Sequence, residues 1–372
     1  MTHKVIRINA SVVRSRTKQI VDTLKKVGVL NIYVTAGRGP LLEPPVGLVR
    51  FLSGRDVLRS QPVDFISFFV KPKDEEKALN LIVAKGKLTI PGMGTAYTQE
   101  LDLSKQHPLC ALNDLSNVEA KKVEYYTNLV GISCVVQRGQ GDDIARVVLE
   151  SATAVPTISY GVGTGIRDKL GLLRITIPAE KEVLSLVTTS WDAGELLETM
   201  ISKGKLDQPG KGFINTFPIK QGIINTKVSS EQTKHAASME QVIAAIDGIK
   251  GGMEWRKERG EHGYKGQKRA FFGGCDLNVI CNDGAGVDLV KAAMQSGAQG
   301  ATIEKLTLRG PLSKDKEQLQ RAREVCKMMV PKDKLEDIVA AMVSAGALSD
   351  KAQAMLYSCE VDQAFTYIKA AS

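Results

Sequence analysis

The chain has 372 residues, of which 43% are apolar and 24% charged, and a formal net charge of +9. That length allows about two to three domains, and the composition excludes disordered, collagenous and low-complexity classes for the bulk of the chain. No apolar run approaches the ~20 residues that span a bilayer, and no secretory leader is read at the start, so a cytoplasmic protein without membrane insertion is expected.

In chain order, the first segment predicts a strand over 5–13 and a helix over 17–27. Ile20, Leu24 and Val27 fall on one face of that helix. A second strand, 30–35, runs into Gly37-Arg38-Gly39; strand 64–70, helix 75–84 and strand 95–101 follow. The second segment reads as strand 129–136, helix 142–151 and strand 157–160, leading into Gly161-Val162-Gly163-Thr164. Strand 182–188, helix 193–202 and strand 213–220 complete it. Residues 228–274 form a linker with one helix, 239–250. The third segment predicts strand 277–281, helix 286–296, strands 301–308 and 325–330, helix 334–345 and strand 354–361. Each segment therefore has the order β-α-β-loop-β-α-β in about 100 residues, which is the split-βαβ order. The expected class is α+β: three ferredoxin-like (βαββαβ) repeats at 1–102, 125–227 and 275–372, their open sheet faces buried against one another around a pseudo-threefold axis.

The segments also share a motif. Lys85-Gly86-Lys87-Leu88-Thr89-Ile90-Pro91-Gly92-Met93-Gly94 and Lys203-Gly204-Lys205-Leu206-Asp207-Gln208-Pro209-Gly210-Lys211-Gly212 are both K-G-K-L-x-x-P-G-x-G. Glycine lets successive backbone N–H groups point into one concavity, and lysine adds a point charge, so this turn suits a phosphate. The same residues suit a tight turn leading into an edge strand. The third segment has Gly346-Ala347-Leu348-Ser349-Asp350 instead, and a carboxylate there opposes phosphate.

The excess charge is concentrated early: residues 1–127 carry +7 and residues 275–372 carry −1. Aromatics are only 5%, too few for the stacking platforms of single-stranded nucleic-acid binders, so no nucleic-acid partner is expected. Six cysteines without a C-x-x-C pair read as small buried hydrophobes. His3, His107, His235 and His262 are far apart, which gives no metal site. No acid/base pair or nucleophile stands out, so no enzyme and no catalytic residue is expected.

Three stretches are similar to the PII family of nitrogen-regulatory signalling proteins, in its PII-like branches. They are Val135-Val136-Gln137-Arg138-Gly139, Gly161-Val162-Gly163-Thr164-Gly165 and Ile177-Pro178-Ala179-Glu180-Lys181-Glu182. The resemblance is strongest in the second segment, and the P-G-x-G turn looks like the family's phosphate-binding loop. It implies a single-chain, monomeric pseudo-trimer that binds an adenine nucleotide (ATP, ADP or AMP) between repeats, with no covalent cofactor. It also implies a loop that docks on a partner enzyme or transporter. Carried over residue by residue, the nucleotide site falls on Gly37, Arg38, Gly39, Lys87, Gly92 and Gly94 in the first segment. In the second it falls on Gly161, Gly163, Thr164, Lys205, Gly210, Lys211 and Gly212. The docking loops fall at 40–62, 166–181 and 311–323; the first holds Arg50, Arg55 and Arg59. A ligand-free scaffold of the same fold, or a trimeric metal-tolerance-like protein, are the alternatives.

Overall fold

The computed structural model describes residues 3–44, 56–110, 112–113, 115, 122–165, 180–225, 239–252, 271–310 and 321–367. The first segment folds as β1 (His3–Val13), α1 (Arg14–Lys26), β2 (Tyr33–Glu43), β3 (Val57–Val70), α2 (Glu75–Gly86) and β4 (Gly94–Gln106). The second folds as β5 (Leu129–Gln137), α3 (Gly141–Glu150), β6 (Thr157–Gly165), β7 (Glu180–Thr189), α4 (Ala193–Gly204) and β8 (Gly212–Pro218). After β9 (Gln221–Ile223) and α5 (Met239–Lys250) come β10 (Phe272–Asn282), α6 (Gly286–Gln295), β11 (Gly300–Leu308), β12 (Ala322–Val330), α7 (Leu335–Ser344) and β13 (Met355–Thr366).

All thirteen strands belong to one antiparallel sheet, in the order β11-β12-β10-β13-β8-β5-β7-β6-β2-β3-β1-β4-β9. Further pairings of β11 with β6 and β2, and of β13 with β4, join strands that are distant in that order. This corrects the expected fold class. The architecture is one continuous 13-stranded sheet, not three ferredoxin-like repeats arranged as a PII-like pseudo-trimer. The physical reason lies in the strand ends. β13 continues past its pairing with β10 to pair Ala364–Thr366 with β8, while Met355–Ser358 pair with β4. β11 pairs Gly300–Glu304 with β6. Hydrogen bonding therefore continues across the segment boundaries.

Both faces of the sheet are covered, and the strand sequences show why. Along β3, Ile66, Phe68 and Val70 point to the helix side, packing with Ile20, Leu24, Leu79 and Ile82, whereas Phe69 points to the other face. There it meets Tyr33 and Tyr357 edge-on, with centroids 6.3 and 5.0 Å away. The corresponding helix-side clusters of the other segments are built on Ile144, Leu197 and Met200, and on Leu289, Ile338 and Met342. The inward cluster around Phe69 draws Val5, Leu101, Ile280, Val325 and Tyr357 from the first and third segments. Among the described residues no helix is long and apolar enough to cross a membrane.

Candidate functional site

The repeated motif is a helix terminator with a defined geometry. α2 and α4 end at Lys87 and Lys205, both left-handed (φ 55° and 52°). Leu88 N–H then donates to Val83 O, and Leu206 N–H to Ile201 O, both at 3.0 Å, which drives each leucine into the core. The last glycine opens the following strand at φ +157° in Gly212, where a Cβ would lie 2.3 Å from Val135 O. Gly94 repeats this against Ser11 O, at 2.0 Å. Glycine is the residue both the angle and the close approach demand. In the third segment Gly346 takes the left-handed position and Ala347 the buried one.

The other glycine stretches are strand interiors, not turns. Gly37, Arg38 and Gly39 pair with Val63, Pro62 and Gln61 inside β2–β3, Gly161 lies between β7 and β11, and Gly163 pairs with Thr302 of β11. The reason is strand crossing: at Gly37 a Cβ would lie 2.5 Å from Ile158 O of β6.

Four of the expected residues come together. Gly163 and Thr164 of β6, and Gly210 and Gly212 beside α4, line one cavity of about 530 Å³ between the second and third segments. Lys181 and Phe213 share that wall; Phe272, Asp276, Lys327 and Met328 face them. Thr164 Oγ1 donates to Ala301 O (3.3 Å), Gly210 O accepts from Gln137 Nε2 (3.0 Å), and Lys327 Nζ is 2.5 Å from Glu304 Oε1. Lys205, Lys211 and Gly161 do not line this cavity, nor do the first-segment residues Gly37, Arg38, Gly39, Lys87, Gly92 and Gly94.

The first-segment residues are otherwise engaged. Gly92 N–H donates to Asn225 Oδ1 (2.9 Å). Arg38 donates to Ser60 Oγ (3.2 Å) in its own segment and reaches across to the second, donating to Glu182 Oε1 (3.0 Å), Tyr160 Oη (2.9 Å) and Asp142. Hydrogen bonds to Asp142 and Glu182 raise its pKa further, against desolvation, the largest influence on it. Two carboxylates thus occupy the guanidinium that was assigned to phosphate.

The third strand of every segment carries a carboxylate, Asp64, Glu182 or Glu324, whose role sequence reading missed. Asp64 accepts from Arg14 Nε (2.9 Å) and Thr17 Oγ1 (2.7 Å). Glu182 Oε2 accepts the N–H groups of Gly139 (3.0 Å) and Gly141 (2.8 Å). Glu324 accepts Gly286 N–H (2.5 Å) and Lys305 Nζ (2.8 Å). Each stands near the start of its segment's first helix, where backbone N–H groups lack intrahelical partners. The available signal was an acid just before the alternating apolar run, as in Val63-Asp64-Phe65-Ile66.

Most of the expected docking loops, including Arg50, Arg55, 166–179 and 311–320, lie outside the described residues. Arg59 Nε is 3.5 Å from Glu43 Oε2. The six cysteines are buried free thiols. Among the described residues no group of three or more His, Cys, Asp or Glu side chains is placed to hold a metal. Compared with known proteins, the chain matches no family model, and no curated protein matches it.

Proposed function

We propose that this protein is a nucleotide-responsive regulator. It binds an adenine nucleotide in the cavity between its second and third segments and acts on a partner enzyme or transporter in the cytoplasm by binding, without catalysing a reaction. The observation that carries this reading is the convergence of Gly163, Thr164, Gly210 and Gly212 on one cavity of about 530 Å³. That volume is within the range of small-molecule sites, about 300–1,000 Å³. Phe213 and Phe272 offer apolar surface for a base, and Lys181 offers positive charge for phosphates. A switch then needs only that the nucleotide bind one conformation better than another.

The test is calorimetric titration with ATP, ADP and AMP, paired with thermal unfolding. Binding to the native state must raise the melting temperature, and Lys181→Met should weaken whichever nucleotide binds. No heat and no shift with any of the three overturns the reading. The first-segment residues have a structural role on this reading, because Arg38 is committed to Glu182 and Asp142.

A further inference from the structure

A second, smaller cavity of about 130 Å³ lies on the inner face of the sheet, and strands of all three segments line it. At about 30 Å³ per water it has room for roughly four water-sized occupants. Four acidic or basic side chains reach it: Arg7 of β1, Asp276 of β10, Glu304 of β11 and Lys327 of β12. Glu304 Oε1 lies 2.5 Å from Lys327 Nζ in an ion pair without forming a hydrogen bond, and Oε2 accepts from Ser159 Oγ at 2.6 Å. Arg7 has no ion pair among the described residues. Its guanidinium lies 5.5 Å from the ring centroid of Tyr357 and 5.9 Å from that of Phe69, and Nη2 reaches Ser67 Oγ at 3.5 Å. Its Nε is buried with no hydrogen-bond partner. Tyr357 is 1% exposed, and its Oη is also buried without a partner.

Two donors without hydrogen-bond partners border one small polar cavity, one of them cationic, and the nearby Glu304 Oε1 is turned to Lys327 rather than to either of them. We propose that this central cavity binds one small monovalent anion of the chloride class, held by Arg7 Nε and Tyr357 Oη. Size and charge both favour that class. The Lys327–Glu304 pair cancels, so the only carboxylate left to compete for Arg7 is Asp276, which has no salt bridge among the described residues. Desolvation raises the Asp276 pKa, while Asn278, Lys327 and Arg7 act to lower it. Burial pushes Tyr357 up to about 12, so its phenol stays a donor. Ser133, Asp276 and Lys327 line this cavity and the larger one, yet the anion proposal stands whether or not the larger one takes a nucleotide.

Two measurements decide it. Crystals of the full chain grown in bromide should show an anomalous peak between Arg7 and Tyr357. Thermal unfolding at constant ionic strength, with chloride replacing gluconate, should show a chloride-dependent rise in melting temperature. Tyr357→Phe should weaken that response at least about tenfold, as expected for one lost charge-assisted hydrogen bond. Asp276→Asn should move it to lower chloride, because the competing carboxylate is gone. No bromide peak, or an equal chloride response in wild type and Tyr357→Phe, means that the cavity holds water only and overturns the proposal. The bromide result decides the matter even if a variant does not fold.

Discussion

Removal of the Glu182 carboxylate should cost this fold a large share of its stability. Glu182 is 4% exposed at the start of β7, where both carboxylate oxygens are in use. Oε2 accepts the N–H groups of Gly139 and Gly141, and Oε1 accepts Arg38 Nη2. Glu182→Ala strands two backbone donors at the start of α3, and each buried donor without a partner costs about 1–3 kcal/mol. Arg38 adds less than the 3–5 kcal/mol typical of a broken buried pair, because Asp142, Tyr160 and Ser60 still hold it. The expected loss is therefore about 3–5 kcal/mol, a large share of the roughly 5–15 kcal/mol by which domains are stable. Glu182→Gln keeps one acceptor oxygen and should lose about 1–2 kcal/mol. Asp142→Asn, at a side chain 56% exposed, should lose under about 1 kcal/mol. Urea unfolding of the three variants at neutral pH reads these values directly. An alanine variant within about 1 kcal/mol of wild type would refute the assignment of Glu182 as the acceptor that organises this junction.

Leu206, fully buried behind the left-handed Lys205, should cost about 2–5 kcal/mol as Leu206→Ala by the same unfolding assay. Gly212→Ala places a methyl 2.3 Å from Val135 O, so it should lower soluble expression and melting temperature far more than Gly194→Ala, which meets nothing within 4 Å. All six thiols are buried, and burial pushes Cys134 up to about 12. A thiol reagent at pH 8 should therefore label the native protein at no more than a trace rate, and urea should release the reaction.

Local structure was legible because it depends on local chemistry. The 3.6-residue spacing of Ile20, Leu24 and Val27 marked α1, and α5 falls where Met239 to Lys250 predicted it. The assembly of the sheet was not legible. Which edge strand finds which partner depends on backbone hydrogen bonds between residues more than a hundred positions apart, such as Ala301 with Thr164, and these bonds carry no side-chain signature. The glycines of β2 and β6 were misread for a related reason. A glycine that lets a foreign strand approach and a glycine that turns the chain look the same in one sequence; only Ile158 O beside Gly37 separates them.

The same ambiguity divides the K-G-K-L-x-x-P-G-x-G motif, and its conserved letters sort by cause. The second lysine, the leucine and the final glycine are accounted for by architecture in both copies. They supply a left-handed cap, a core plug and a strand entry too close to a neighbouring carbonyl to admit a Cβ. A motif this well explained by folding would recur without any ligand, and in the first copy it does so with Gly92 N–H already donating to Asn225. What distinguishes the second copy is its surroundings: Gly210 and Gly212 border an open cavity that Phe272 and Lys327 of the third segment close from the far side. The third segment lacks its own copy of the motif, yet it supplies the opposite wall of the cavity beside the second copy. Its value to a ligand therefore lies in those strands rather than in its turn. Phe272→Ala should accordingly weaken nucleotide binding measured by calorimetry about as much as Lys181→Met. Substitution of Asp350, which is fully exposed and whose carboxylate lies 3.4 Å from His107 Nε2, should leave it unchanged.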